Sequence, residues 1–428
     1  MAKITWKLIP FLCVCYLAAY LDRVNVGFAK VQMLADLKFS NAVYGFGSGI
    51  FFVGYFLFEV PSNLILERVG PRIWIARIMV LWGAISFCTM FAKTGAHFYA
   101  LRFLLGAAEA GFFPGIIYYL TRWFPTTYRS RTIAVFMTAA VASYVVGSPL
   151  SGPLLDMGGV LGLRGWQWLF IVEALPSIAL GVAVFFFLPN GPEEARWLSP
   201  EELGWLHERL RSERQSAEGV RKLTLAQGLS DPRVLTMCAV YFGLCIGGYG
   251  LDFFQPTLVR EWFPSARSLT VGCINAIPQF AALFVMVVYG RSSDRRGEHR
   301  FHHAVAIWVA AAGLLLVSFR LPPWIAVTAL ALAVCGRWSS VPPFWGFATT
   351  FLSGTAAAGA IALINSVGNL GGFAGNYLMG WLKDLYGDYH VGLRVLAGAL
   401  VVGGLIVLGV RRERKPAPAG QVVATPAR

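Results

Sequence analysis

Apolar stretches of about twenty residues recur along the whole chain, and no other feature restricts its fold so strongly. A helix needs roughly 20 apolar residues to cross the hydrocarbon core of a bilayer. About twelve such stretches can be read, at approximately 8–29, 41–66, 72–92, 97–120, 131–155, 166–188, 234–258, 270–290, 301–320, 323–350, 356–382 and 390–410. A soluble domain carries roughly 25% charged residues. This chain carries 14%, with 57% hydrophobic residues, and would expose a large apolar surface to water. The predicted fold class is therefore an all-α membrane protein of twelve transmembrane helices.

The net charge of +14 does not point to nucleic acid, because the basic residues form no stripe on a soluble domain. They sit in short runs between apolar segments, as orientation signals do. The N-terminus, Arg68 to Arg77, Arg122 to Arg131, the stretch 189–233, Arg291 to Arg300 and the tail fall on one side if every span crosses. The loops on the other side hold fewer basic residues, namely Lys93, Arg164, Arg260, Arg267, Arg320 and Lys383. Both termini are thus predicted to face the cytoplasm. No cleavable leader is evident, since the first apolar run is long enough to span and continues into Asp22 and Arg23. The seven cysteines lie within predicted spans, which argues against a disulfide framework.

The longest polar interruption, 189–233, opens with Pro189-Asn190-Gly191-Pro192 and is too short for a catalytic domain. It divides a six-helix bundle at 1–188 from a second at 234–410, and a basic tail at 411–428 is predicted to be disordered. The halves echo each other. Glu67-Arg68-Val69-Gly70-Pro71-Arg72 follows the second span, and Asp294-Arg295-Arg296-Gly297-Glu298 follows the eighth. Gly147, Leu150 and Gly152 recur at nearly the same offset as Gly375, Leu378 and Gly380. Parallel repeats of this kind build transporters whose halves rock about a central site.

Ionisable residues inside spans are expensive and mark function by default. The first span holds Asp22 and Arg23, and the fourth holds Arg102 and Glu109. Asp22 lies about 21 Å from the cytoplasmic edge and Arg102 about 22 Å, at 1.5 Å per residue. Glu109 is two turns past Arg102 on nearly the same face, ~10 Å deeper. The expected arrangement is a ladder: Arg23 and Arg102 beside Asp22, with Glu109 below. A planar guanidinium suits a carboxylate ligand because it donates two parallel hydrogen bonds and stays charged. Asp22 and Glu109 are expected to carry protons, with an arriving anion competing against Asp22 for the arginines. Tyr20 shares a face with Arg23, Tyr55 lies mid-span in the second helix, and Tyr249 stands at the repeat position of Asp22. Asn365 and Asn369 lie four apart on the eleventh span, offering amides to ligand hydroxyls or to neighbouring helices.

Taken together, these motifs resemble the major facilitator superfamily, and within it the anion:cation symporters that include bacterial tartrate, phthalate, hydroxyphenylacetate and sugar-acid transporters. The acidic-Arg-x-Gly loops match that superfamily's motif between helices two and three and its repeat. Four further stretches carry the resemblance: Tyr20 to Gly27, Arg102 to Gly115, Gly165-Trp166-Gln167-Trp168, and Phe351 to Ala356 with Asn365 to Gly372. It implies the major facilitator fold, a small organic anion as substrate, and Asp22 and Glu109 as proton sites. Arg102 is implied in recognition or coupling, and Tyr20 and Tyr55 near the ligand. Glu67, Arg68, Gly70, Arg72, Asp294, Arg295 and Gly297 would form cytoplasmic latches of the outward-facing state. The sequence departs from the family pattern at Asp252, Gln255, Arg337 and Asn376. Arg337 is either a third anion anchor or the partner of Asp252.

No G-x-x-x-x-G-K-[ST], H-E-x-x-H or G-x-S-x-G motif occurs, so neither ATP hydrolysis nor an enzyme is expected. No cofactor or metal is expected; His299, His302 and His303 lack acidic or cysteine partners at ligand spacing. The expectation is a monomer in a bacterial inner membrane that imports a small carboxylate with protons by alternating access. An organic anion exchanger and a membrane sensor on a transporter scaffold are the competing readings.

Overall fold

A computed structural model describes residues 1–218, 231–348 and 355–410. The predicted tail at 411–428 and part of the predicted linker lie outside the described residues, as do Phe351 to Gly354 of the resemblance. The chain is a bundle of helices: α1 (Ala2–Leu37), α2 (Asn41–Val69), α3 (Pro71–Cys88), α4 (Gly95–Glu109), α5 (Phe112–Trp123), α6 (Thr126–Leu155), α7 (Gly165–Phe187), α8 (Pro200–Glu218), α9 (Pro232–Asp252), α10 (Gln255–Trp262), α11 (Ser268–Arg296), α12 (Arg300–Val317), α13 (Pro323–Ala348), α14 (Thr355–Tyr386) and α15 (His390–Gly409). Eleven segments among the described residues are long and apolar enough to cross a membrane. α14, 32 residues long, is a further long helix of the bundle and packs on α9 and α2.

Two spans are broken. α4 and α5 are separated at Ala110-Gly111, where Gly111 takes φ 89°, a conformation open to residues without a Cβ. A Cβ there would also stand 2.3 Å from Ser62 Oγ. α9 and α10 are separated at Phe253-Phe254. Each break leaves a buried acid as the last residue of the preceding helix, Glu109 in α4 and Asp252 in α9. The turn from α2 to α3 uses Gly70 at φ 96° followed by Pro71 at the first helical position, where its fixed φ suits a helix start.

Within the first half, α1 packs on α6 and α7, α2 on α4, and α3 on α7; within the second, α9 packs on α15, and α13 on α11 and α12. The halves meet along α2 against α14 and α6 against α11. Both seams are tightest at the end of the bundle opposite the termini, here called the distal end. A Cβ on Gly45 would lie 2.5 Å from the Asn376 carbonyl oxygen, and one on Gly272 would lie 2.2 Å from that of Ser148. Backbones can approach this closely only where side chains are absent. Asp384 of α14 reinforces the distal end by accepting from the Ala42 and Asn41 backbone N–H groups, at 2.7 and 3.1 Å, at the start of α2. Lys30, fully buried, donates across the halves to Tyr389 Oη at 2.6 Å and lies 4.0 Å from the Phe254 ring centre. Leu57, Phe186, Phe187, Val288, Ile325 and Leu405 are exposed on the flanks, which suits contact with lipid tails.

Candidate functional site

The charged residues of the first half converge, in an order that differs from the expected ladder. Arg23 Nη2 pairs with Glu109 rather than lying beside Asp22. Two features of helix geometry account for this. Side chains lean toward their helix N-terminus. α1 and α4 run in opposite directions, so Arg23 and Glu109 lean toward each other and close the predicted ~10 Å step. Asp22, one residue earlier, points about 100° away around α1. It accepts from Trp82 Nε1 at 3.0 Å, Ser86 Oγ at 2.7 Å and Ser177 Oγ, tying α1 to α3 and α7. The expectation that Asp22 competes with an anion for the arginines is corrected accordingly.

Arg23 is enclosed by rings. Its guanidinium carbon lies 4.8, 5.3 and 5.6 Å from the centres of Tyr20, Phe51 and Tyr55, and Nη1 donates to Tyr249 Oη of the second half at 3.4 Å. Both tyrosines predicted from the first half, and Tyr249, thus gather on one arginine. Arg102 is the most unusual group. It is 0% exposed, and none of its three guanidinium nitrogens has a hydrogen-bond partner among the described residues. Its neighbours are the faces of Phe51 at 5.0 Å and Phe253 at 5.9 Å. A buried cation without a hydrogen-bonded counter-ion is costly, and the cost falls when an anion supplies both charge and acceptors.

The second half contributes a separate pair. Arg337 Nη1 lies 2.9 Å from Asp252 Oδ2, and Tyr144 of the first half donates to the same oxygen at 2.9 Å. Of the two readings of Arg337, pairing with Asp252 is observed. Gly248 leaves the room: a Cβ there would meet Arg337 Nε at 2.4 Å. Beyond the pair runs an amide network. Trp338 Nε1 donates to Gln279 Oε1 at 3.0 Å, Gln279 Nε2 to Gln255 Oε1 at 3.3 Å, and Gln255 Nε2 to the Asn275 carbonyl at 3.0 Å. Asn369 is buried on α14, whereas Asn365 donates to Glu59 Oε1 at 3.1 Å and Ser366 donates to Glu59 Oε2. Asn365 therefore joins helices rather than facing the arginines.

Glu59, Lys30, Glu173 and Tyr144 were not singled out from the sequence. A lone charge within an apolar run was the available signal for the first three, and Tyr144 carries none. An apolar groove of ≈ 620 Å³ between α11, α12 and α13, lined by Val305, Leu316, Ile325 and Leu332 among others, holds none of these charges.

The loop motifs behave differently from the buried cluster. Glu67 and Arg68 are exposed. Arg72 donates from its backbone N–H to Asn190 Oδ1 at 3.1 Å and from Nη1 to Glu194 Oε2 at 3.3 Å, clamping the turn to the chain after α7. Hydrogen bonds from the Asn190 side chain and backbone, with Arg72 and Arg122 nearby, hold the Glu194 carboxyl below the usual glutamate range. In the second copy, Gly297 at φ 58° closes α11, Arg295 is exposed, and Asp294 lies 4.0 Å from His299 Nδ1. The Arg72 contacts thus reach the start of the 189–233 stretch, and the Asp294 contact stays within the second half. Among the described residues no group of three metal-ligating side chains occurs.

Comparison with known proteins gives a concordant result. The family model described as Major Facilitator Superfamily matches residues 12–376. A protein of Agrobacterium vitis named "Putative tartrate transporter" is 49% identical over 410 residues, covering 96% of this chain and 94% of its own. "Putative metabolite transport protein NicT" of Pseudomonas putida is 48% identical, covering 96% and 94%. Among solved structures, the partially occluded inward-open form of the xylose transporter XylE from E. coli aligns with a TM-score of 0.73 over 95% of this chain and 97% of that one, at 13% identity, a likeness of fold alone.

Proposed function

Because the chain belongs to the major facilitator superfamily and is a multi-pass membrane transporter, we propose that it imports a small organic carboxylate by proton symport and alternating access. One observation carries the reading: Arg102 is wholly buried between the halves with no hydrogen-bond partner among the described residues. A carboxylate is the group whose two oxygens match its planar fork. The tartrate and metabolite transporters among its relatives support an organic acid as cargo.

Coupling follows from Glu109. Its carboxylate holds Arg23. A substrate carboxylate approaching Arg102 competes for Arg23, and a proton on Glu109 releases that arginine. Anion and proton therefore favour each other's binding, which is the linkage a symporter needs. Asp22 serves as the second proton carrier in this scheme. Its protonation would loosen the three donors that tie α1 to α3 and α7, so its charge bears on helix packing rather than on the ligand. Residues 1–188 and 234–410 rock about the site, with 189–233 as the linker between them. With both termini in the cytoplasm of a bacterial cell, the tight distal seams close the periplasmic side, and the exposed Glu67, Arg68 and Arg295 form latches when the opposite side closes. A single chain holds the whole site, so a monomer suffices.

Cells overexpressing the protein in weakly buffered medium provide the test. Adding the transported carboxylate should alkalinise the medium, and Arg102→Ala cells should show no response. Entry or exchange of a labelled acid without alkalinisation would replace symport by anion exchange. Binding without any transport would favour a sensor.

A further inference from the structure

The proposed anion site is bounded by a closed circuit of contacts that the first half alone does not explain. Starting at Arg23, the guanidinium faces the Tyr20 ring at 4.8 Å, and Tyr20 meets Tyr144 with ring centres 6.2 Å apart. Tyr144 donates to Asp252 at 2.9 Å, and Asp252 pairs with Arg337 at 2.9 Å. Arg337 lies 5.5 Å from the Tyr249 ring, and Tyr249 Oη accepts from Arg23 at 3.4 Å, closing the circuit. Arg23 and Arg337 thus share one tyrosine as a common wall, one arginine from each half. Each holds one carboxylate, and each of those carboxylates ends a broken span. Nothing in single-anion binding calls for the second pair.

We propose that Arg337 is the anchor for a second substrate carboxylate, so that the cargo is a short dicarboxylate bridging the two halves, with Asp252 as the internal counter-ion it displaces. The inference rests on the organic-anion reading above. The path through Tyr249, with its phenol width included, puts the two guanidinium carbons no more than about 13 Å apart. A carboxylate carbon lies about 4 Å from the guanidinium carbon it pairs with, and the carboxyl carbons of an extended four-carbon diacid are about 4 Å apart, which totals roughly 12 Å. A four-carbon dicarboxylate is therefore long enough to join the two arginines over nearly all of the separations this bound allows. The tether has a mechanical consequence: a diacid holding Arg23 and Arg337 at once draws the halves together, whereas a monoacid holds only one. Displacing Asp252 also disturbs Tyr144, which donates to Asp252 Oδ2 from the first half.

The test is uptake by purified protein in proteoliposomes, comparing labelled succinate, malate and tartrate with labelled butyrate and glycerate. Wild-type protein should favour the diacids at least tenfold, and unlabelled succinate should compete at least tenfold better than its monomethyl ester. The double substitution Arg337→Gln with Asp252→Asn leaves no unpaired buried charge and should lower the diacid-to-monoacid uptake ratio at least tenfold. An unchanged ratio in the double variant would overturn the anchor and leave the pair as a tie between helices. A wild-type preference for monoacids would overturn it too, while sparing the organic-anion reading. Transport of no carboxylate at all would overturn both. The competition by the monomethyl ester needs no variant, so a variant that fails to fold does not remove the test.

Discussion

Each half holds one buried acid–arginine pair at a helix break, at positions the repeat does not relate, and sets it in different chemistry. In each, a membrane span breaks just after a buried acid, and an arginine from another helix holds that acid: Arg23 on Glu109 in the first half, Arg337 on Asp252 in the second. A carboxylate at a helix C-terminus is disfavoured by the helix dipole, and the arginine offsets that cost. The surroundings then diverge. The first half adds a second buried guanidinium, Arg102, and a second acid, Asp22, which is satisfied by neutral donors. The second half adds the amides of Gln255 and Gln279, joined to each other, to Trp338 and to the Asn275 backbone carbonyl. Ionisable groups suit proton exchange, and amides suit hydroxyl recognition without a change of charge. The comparison teaches that the breaks do not follow the repeat: the fourth span breaks after Glu109 while its counterpart α13 is continuous, and the seventh breaks after Asp252 while its counterpart α1 is continuous.

The largest expected effect separates the two acids. Glu109→Gln should abolish accumulation against a gradient while leaving exchange of internal for external substrate, and Asp252→Asn should lower uptake without uncoupling it from protons. Counterflow and alkalinisation measured together distinguish them; uncoupling by Asp252→Asn would break the division of labour between the halves. Next in size is Asp22→Asn. Because Asp22 contacts Trp82, Ser86 and Ser177 and no arginine, the maximal rate should fall roughly tenfold, about 1.4 kcal/mol in barrier, with KM nearly unchanged. A large rise in KM would return Asp22 to the ligand. At the seam between the halves, Gly45→Val should disfavour distal closure, since even a Cβ collides with the Asn376 carbonyl. Cysteine-labelling accessibility at the distal end should rise severalfold, and unchanged labelling would mean that the seam gives way elsewhere.

The smallest effect concerns the two loop copies. Glu194 is held below the ordinary glutamate range, so its clamp on Arg72 contributes fully above that range and is lost as pH falls through the lowered value. Glu194→Gln should remove that acid-side dependence from protease sensitivity of the 188–200 stretch and leave the loop around Asp294 unaffected. With both partners partly exposed, the change should be slight.

Much of this was legible in the chain. Run length gave the spans, the spacing of Glu67 and Asp294 gave the repeat, and charges inside apolar runs pointed to Arg23, Arg102 and Glu109. The pairing was not legible. Depth along a helix axis placed Arg23 level with Arg102, but it ignored that side chains lean along the helix and that neighbours in sequence diverge around it. Tyr144 reached the second half's acid across the seam, a contact no single-span reading contains.

The sequence by itself determined the class, the number of crossings and which spans carry charge, because those follow from local transfer energies of each segment into lipid. Only the tertiary structure decided which acids Arg23 and Arg337 hold, that Asp22 faces α3 and α7, and that Arg102 has no hydrogen-bonding partner among the described residues. Those outcomes depend on how antiparallel helices rotate and lean against one another, and that is set by packing among segments far apart in the chain.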